Sequence, residues 1–187
     1  MILNLRVDHK IADIQSMENI SKEIDELFLN LQTKYSISEY VEISTCNRKE
    51  YYIYSNYIDA DDELISHDNQ SIIIEYGDAA VMHLLRMTSG LESMIVGEDQ
   101  ILGQVKDSKN KAIKNHHCGR ALDTIFTKAI HVGQVVRNKT KINKGSVSIG
   151  SAAVDLAEKY LGELDGKSVL VIGAGKMGKL VAKALAE

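Results

Sequence analysis

The chain has 187 residues, 44% of them hydrophobic, which is enough to bury the core of one generous domain or of one domain and part of another. A formal net charge of −4 gives no basic field that would indicate a nucleic-acid partner, and two cysteines are too few for a disulfide framework. No apolar run approaches the length of a membrane span and the N-terminus lacks a signal-peptide pattern, so we expect a cytoplasmic protein with no membrane contact.

The first part of the chain begins with a strand and a helix. Leu3, Leu5 and Val7 alternate with polar residues, as in a β-strand. The apolar residues that follow have helical spacing and lie on one face. They are Ile20, Ile24, Leu27, Phe28 and Leu31.

Further along, the pattern alternates between a loop, a strand and a helix. Residues 57–70 are acidic and rich in Asn, Asp and Ser, which predicts a loop. Residues 72–74 are three isoleucines and predict a buried strand, after which Asp78 is expected to cap a helix. Residues 88–100 are too glycine-broken for a helix and too apolar for a solvated loop, so we expect them to run across a site.

Two amphipathic helices follow, one from Asp99 to about Asn115 and one after Gly119. Early strands and later helices predict an α+β domain with a small sheet. Residues 137–145 are polar and basic and are the best domain boundary. We therefore divide the chain into a catalytic domain, 1–145, and a second unit, 146–187, which opens with a helix over 146–161.

Cys46 lies in a short polar connection between two predicted strands. Tyr40, Val41 and Ile43 precede it, and a tyrosine-rich run follows it. A thiol in such a loop can face a cleft, where Arg48 would favour the thiolate that attacks carbonyl carbons. A lone cysteine is more often a small apolar filler, but polar neighbours on both sides weigh against that interpretation.

A glycine-rich turn in the second unit has the context of a dinucleotide-binding site. It follows a predicted strand at 167–172, whose residues 169–172 are all apolar, and opens a helix. The residues that would contact the cofactor are Gly173, Ala174, Gly175, Lys176, Met177 and Gly178. The residue that distinguishes NAD from NADP lies roughly 20 positions further on, so these residues alone leave the choice open. A parallel sheet cannot be built from one strand, so we expect a truncated α/β Rossmann-type domain.

Other polar clusters carry weaker signals. On sequence alone, His83 is more simply a satisfied core histidine than a catalytic one. His116, His117 and Cys118 are adjacent, which suits a tetrahedral metal poorly, so no metal site is predicted. Lysines at 106–114 and basic residues at 137–144 are more often solvated faces than nucleic-acid sites.

Several motifs in order resemble the signatures of glutamyl-tRNA reductase. They are Ser44-Thr45-Cys46-Asn47-Arg48, the run from Ser89 to Lys106, Ser146-Val147-Ser148 with Ser151-Ala152-Ala153-Val154, and the turn at 173–178. The resemblance extends from near residue 1 to the last residue. It implies NADPH-dependent reduction of glutamyl-tRNA(Glu) to glutamate-1-semialdehyde, the first step of five-carbon tetrapyrrole (porphyrin) synthesis.

The resemblance also implies roles for individual residues. Cys46 would be the nucleophile that forms a thioester, Arg48 would hold the glutamyl carboxylate, and His83 would polarise the ester or protonate the leaving hydroxyl. The other implied substrate-binding residues are Thr45, Asn47, Ser93, Glu98, Asp99, Gln100 and Gln104. Full-length members are expected to be homodimers and to hand their product to an aminotransferase. Because the rest of the cofactor domain is absent from these 187 residues, we expect esterase activity without full reductase activity.

Two other functions are compatible with parts of the pattern. Another NAD(P)-dependent dehydrogenase, similar to shikimate dehydrogenase, would use the glycine-rich turn but leave residues 45–48 without a role. A non-catalytic tRNA-binding module would use the basic clusters and would show steep salt dependence.

Overall fold

The computed structural model describes residues 1–58, 71–143 and 149–186. Their elements in chain order are β1 (Ile2–Asp8), α1 (Ile14–Tyr35), β2 (Glu39–Thr45), β3 (Arg48–Tyr54), β4 (Ile73–Tyr76), α2 (Gly77–Thr88), α3 (Gln100–Lys114), α4 (Arg120–Thr140), α5 (Ile149–Leu161) and α6 (Lys176–Ala184). The predicted α+β class is confirmed, with strands early in the chain and helices later.

Four strands form an antiparallel sheet in the order β2-β3-β1-β4. All seven residues of the central strand β1 are buried, because helices cover both faces of the sheet. In the register of β1 with β3, Arg6 lies opposite Glu50 and Asp8 lies opposite Arg48. Alternate residues of the two strands therefore place charged side chains together on one face.

Helix α1 covers the apolar face of the sheet. Its buried residues pack against Leu3 and Leu5 of β1. They include all the apolar positions predicted from helical spacing, and Met17 joins them. Asp13 begins the helix by accepting a hydrogen bond at Oδ1 from the Ser16 amide at 2.7 Å. On the opposite face, α2, α3 and α4 enclose a second core that includes Ile43, Tyr52 and Phe126.

Two predictions around β4 are wrong in detail. The strand spans Ile73–Tyr76 and is half-buried, since among the described residues β4 is an edge strand paired with β1 alone. Asp78 does not cap α2, because the cap position is Tyr76 and Asp78 lies inside the first turn. There its charge still favours the positive end of the helix dipole.

The predicted connection at 137–145 begins too early. Helix α4 continues to Thr140, and Arg137 is buried within it, because its guanidinium finds hydrogen-bond partners in the core. Residues 144–148 lie outside the described residues, as do 59–70 of the predicted loop and the start of the helix predicted at 146–161.

In the second unit, α5 packs against α6 where Gly150 approaches the backbone of Leu180. The strand predicted at 167–172 does not form: Leu170 is 83% exposed and Ile172 is 91% exposed. A strand is stabilised by a hydrogen-bonded neighbour, and no described residue provides one here. None of the described helices is both long enough and apolar enough to span a membrane.

Candidate functional site

Cys46 and Asn47 form the two-residue turn that joins β2 to β3. The turn is held from both sides. The Asn47 amide donates to Thr45 Oγ1 at 3.2 Å, and the Asn47 carbonyl accepts from the His9 amide at 3.0 Å. Cys46 is exposed and carries a free thiol. The structure therefore confirms the predicted position of the cysteine between two strands.

A groove of about 410 Å³ opens beside this turn. Cys46 and Asn47 line one wall, and His9 and Met17 line another. Met94, from the segment that joins α2 to α3, completes the apolar part of the lining. A groove with apolar walls, one thiol and one imidazole can hold an acyl group next to a nucleophile and a base.

Beneath the turn, Glu50 is the centre of a buried polar network. Glu50 is fully buried and accepts a hydrogen bond at Oε1 from Arg48 Nη1 at 2.8 Å. His83 Nε2 lies 3.1 Å from Glu50 Oε2, and Asn4 Nδ2 donates to the same oxygen at 3.4 Å. Since a carboxylate only accepts, the geometry places a proton on His83 Nε2.

The charge state of Glu50 follows from these partners. Burial by itself raises the pKa of Glu50, but the hydrogen bond and charge of His83, with the charges of Arg48 and Arg6, lower that pKa to about 2. Glu50 is therefore ionised at neutral pH. It holds both His83 and Arg48 in place under the cysteine turn.

Arg48, the residue expected to hold the substrate carboxylate, is 2% exposed. Besides its bond to Glu50, it donates through Nη2 to the backbone carbonyl of Glu92. That contact ties the cysteine hairpin to the α2–α3 segment. The Glu92 carboxylate pairs with Lys10 and Arg86, and although burial alone would raise its pKa, these two cations lower it.

The segment between α2 and α3, residues 89–99, is irregular, as expected of a stretch too glycine-broken for a helix. Met94 lies in the lining of the groove, in agreement with the prediction that this stretch runs across a site. Gly90 and Gly97 have φ of 85° and 87°, and the Gly97 amide donates to the Gly90 carbonyl at 2.9 Å. A Cβ at Gly97 would lie 2.3 Å from the Ile142 carbonyl oxygen, so the close turn requires glycine. Ser93 Oγ is buried and has no hydrogen-bond partner among the described residues.

Arg137 fastens this loop to α4. Its Nη1 donates to the Gly97 carbonyl at 2.8 Å and to Asp99 Oδ1 at 2.9 Å, and its Nε donates to the Thr88 carbonyl at 3.3 Å. Asn143 also donates to Asp99 Oδ1 at 3.3 Å. Asp99 is thus engaged with the end of α4.

The structure brings some of the predicted site residues together and leaves others apart. Thr45, Cys46, Asn47 and Arg48 share one hairpin, and Arg48 and His83 share Glu50. Of the predicted catalytic and substrate-binding residues, Cys46 and Asn47 belong to the described lining of the groove. That lining does not include the others, which are Thr45, Arg48, His83, Ser93, Glu98, Asp99, Gln100 and Gln104. Gln100 and Gln104 stand one turn apart on α3, and Glu98 precedes that helix.

The glycine-rich turn has the geometry expected of its glycines. Gly173 has φ of 108°, and a Cβ at Gly178 would lie 2.0 Å from the Gly173 carbonyl oxygen. A Cβ at Gly175 would meet nothing within 4 Å, which leaves the backbone at the start of α6 accessible. Free amides at a helix N-terminus bind phosphate groups, so residues 173–178 fit a pyrophosphate.

Among the described residues, no group of three or more His, Cys, Asp and Glu side chains could hold a metal ion. The His117 ring stacks on Tyr40, with ring centroids 4.4 Å apart. Burial, followed by the nearby charges of Asp123 and Glu39, raises the pKa of the Cys118 thiol to about 11. Cys118 is therefore a poor nucleophile at neutral pH.

Sequence reasoning missed His9, Glu50 and Glu92. Glu50 had a detectable signal, because Arg48, Glu50 and Tyr52 alternate along one strand and so share a face. Nothing in the sequence places His9 or Glu92 near residue 46, because each is far from it along the chain.

Comparisons with known proteins show which families the chain is similar to. Residues 5–140 match the family described as glutamyl-tRNAGlu reductase, N-terminal domain, and residues 155–187 match the family of shikimate / quinate 5-dehydrogenase. Over its whole length, the chain is 79% identical to a glutamyl-tRNA reductase of Methanobrevibacter smithii, of which it covers 47%. It is 54% identical to a protein of the same name from Methanothermobacter marburgensis, of which it covers 46%.

A solved structure, of glutamyl-tRNA reductase from Methanopyrus kandleri, has a TM-score of 0.71 and 42% identity to this chain. The match covers 99% of this chain and 46% of that one. The chain therefore spans about half the length of the relatives it matches. Since a single family model covers residues 5–140, the chain belongs to the glutamyl-tRNA reductase family, of which it contains the N-terminal domain.

Proposed function

We propose that the protein reduces glutamyl-tRNA(Glu) to glutamate-1-semialdehyde with NADPH, as the first step of tetrapyrrole synthesis. The observation that carries the proposal is the exposed Cys46 thiol, fixed on a two-residue turn at the edge of a groove. A positioned thiol forms an acyl intermediate from an ester, which is the first half of such a reduction.

In the proposed reaction, the Cys46 thiolate attacks the carbonyl carbon of the glutamyl ester. A carbon–sulfur bond forms, the bond to the ribose oxygen breaks, and tRNA leaves. Thr45 and Asn47 shape the turn that presents the sulfur. The Glu50–His83 pair keeps the floor of the site charged and rigid, and from there His83 would polarise the ester carbonyl.

We assign the recognition of the glutamyl group to Arg48 and to the α2–α3 region. Arg48 supplies a buried positive charge for the side-chain carboxylate, and the unpartnered Ser93 Oγ is free to bond to substrate. Glu98, Gln100 and Gln104 would contact the substrate further from the sulfur. Asp99 would contribute by holding the loop through Arg137.

NADPH would be held at Gly173, Ala174, Gly175, Lys176, Met177 and Gly178. When bound, the cofactor supplies the hydride that releases the acyl group as an aldehyde. The open backbone at Gly175 and the amides at the start of α6 support this assignment. It agrees with a division into a catalytic domain, 1–145, and the start of a dinucleotide-binding unit, 146–187. We further propose a cytoplasmic homodimer for the full-length protein, whose unstable product passes to an aminotransferase.

The test uses tRNA charged with labelled glutamate. The protein is mixed with it, quenched in acid, and examined for label bound to protein. Wild type and Cys118→Ser should carry label, whereas Cys46→Ala should carry none. Label on Cys46→Ala equal to that on wild type would overturn the assignment of the nucleophile.

We expect a polypeptide of these 187 residues to hydrolyse the thioester rather than reduce it, because it spans about half the length of the relatives it matches. Labelled glutamate should then be released at a rate that depends on Cys46 and not on NADPH. An NADPH-dependent yield of aldehyde would contradict this expectation. A non-catalytic tRNA-binding module would bind tRNA without consuming the ester.

A further inference from the structure

The groove beside Cys46 contains one imidazole that the proposed reaction does not yet use. His9 lies just after β1, and its backbone amide bonds to the Asn47 carbonyl at 3.0 Å. His9 and Cys46 line the same groove. His9 Nδ1 is shielded from solvent and has no hydrogen-bond partner among the described residues. A buried ring nitrogen without a hydrogen-bond partner is unusual and calls for an explanation. Because Nδ1 is shielded, His9 would meet water in the groove through its other ring nitrogen, Nε2.

His83 is less suited to take the proton of Cys46. It is buried, its Nε2 is occupied by Glu50, and it does not belong to the described lining of the groove. A base must reach the proton it removes, directly or through one water molecule. His9 shares the groove with Cys46, whereas His83 bonds to the Glu50 carboxylate beneath it.

We propose that His9 is the general acid–base of the thioester-forming step, a conclusion that rests on the proposed function. His9 receives the thiol proton of Cys46 through one water molecule in the groove. The sulfur then attacks the ester carbonyl, the carbon–oxygen bond to the ribose breaks, and the imidazolium returns the proton to that oxygen. Protons and electrons balance with no other reactant.

The surroundings of His9 favour the neutral base. Burial is the main cause that lowers its pKa below the ordinary value. Of the charged groups around the ring, Arg48 and Lys10 lower the pKa further, and Asp8 and Glu92 oppose them. Asp13 also lines the groove. A neutral imidazole at physiological pH is the form that can accept a proton.

The first test needs no substrate. In a Cys118→Ser background, the rate at which iodoacetamide alkylates Cys46 is measured from about pH 5 to about pH 9, a range that spans the ordinary pKa values of histidine and cysteine. The parent should show an inflection from His9 below about pH 6.5, because the pKa of His9 is lowered. His9→Gln and His9→Asn should lose this inflection. At neutral pH, Cys46 in both variants should be alkylated about tenfold more slowly than in the parent. This loss is smaller than the rate effect that a general base usually supplies.

The matched control is His131→Gln, which removes an exposed histidine of α4 that is outside the groove. Its profile should equal the parent's. Circular dichroism and urea midpoints establish that all variants fold. An inflection that survives in both His9 variants and disappears in His83→Gln would overturn the proposal and assign the base to His83.

The second test uses labelled glutamyl-tRNA at neutral pH. In His9→Gln, label should appear on Cys46 about a hundredfold more slowly than in the parent, the lower range for loss of a general acid–base. Added imidazole should restore part of the rate. Equal labelling rates would refute the role of His9 and leave the proposed function standing. A His9-dependent alkylation profile with no label in any variant would instead refute the proposed function.

Discussion

At the scale of single residues, Glu50 determines whether the site holds together. It pairs with Arg48 and accepts a hydrogen bond from His83 in a fully buried position. Glu50→Ala leaves Arg48 and His83 without this partner, so we expect it to lower the free energy of unfolding by about 3 to 5 kcal/mol. Urea denaturation measures the change. Glu26→Ala, at an exposed position of α1, should change it by less than about 0.5 kcal/mol.

The same carboxylate should give the fold a characteristic acid sensitivity. The pKa of Glu50 is about 2 in the folded chain, against 4.5 ordinarily. A carboxyl group whose pKa is lower in the folded than in the unfolded chain stabilises the fold at pH values above its unfolded pKa. That contribution is lost as the pH falls through the folded pKa. Stability should therefore decline between about pH 4.5 and about pH 2. Glu50→Gln, compared by urea midpoints across this range, should show a shallower decline; an equal slope would contradict the assignment.

At the scale of elements, the packing of α4 on α2 depends on Gly133. A Cβ there would lie 2.6 Å from the Thr88 carbonyl oxygen, so Gly133→Ala should force the helices apart and cost about 1 to 3 kcal/mol. Gly103 in α3 is the matched control, because a Cβ there meets nothing within 4 Å. Gly103→Ala should stabilise the protein by about 0.5 to 1 kcal/mol. Thermal or urea unfolding measures both changes in the free energy of unfolding. If both substitutions stabilise the protein, or both destabilise it, the proposed contact of Gly133 with Thr88 is contradicted.

The loop between α2 and α3 is held by α4 through Arg137. Its guanidinium binds the Gly97 carbonyl and Asp99, and its aliphatic stem is buried. Arg137→Met keeps much of the stem and removes the donors, so amides of residues 90–99 should exchange hydrogen about tenfold faster, the effect of roughly 1.4 kcal/mol. Mass spectrometry of exchange measures this. Lys139→Met, at an exposed position of the same helix, should leave those amides unchanged.

At the scale of the whole molecule, the sheet and α1–α4 contain both hydrophobic cores. Helices α5 and α6 contribute to neither. A chain of residues 1–143 should therefore keep its sheet, unfold cooperatively, and retain Cys46-dependent ester cleavage. Circular dichroism and the labelled-glutamate assay check this. Loss of cooperative unfolding would show that residues 144–187 contribute to the stability of the first domain.

Much of this architecture could be predicted from the sequence, because it depends on local periodicity. The apolar face of α1, the strand position of Leu3, Leu5 and Val7, and the turn at Cys46 all depend on residues close together in the chain. The positive φ of Gly173 likewise follows from its glycine-rich context. The prediction of a strand at 167–172 was wrong because a strand needs a hydrogen-bonded neighbour as well as an apolar sequence.

The sequence by itself determined the α+β class, the exposed thiol between two strands and the glycine-rich start of α6. Only the tertiary structure decided what surrounds the thiol. The register of β1 with β3 places Arg6 opposite Glu50, and α2 then brings His83 to the same carboxylate. Helix α4 buries Arg137, and the end of β1 carries His9 to the groove. These contacts join residues far apart in the chain, and strand order and helix docking set them rather than any local pattern.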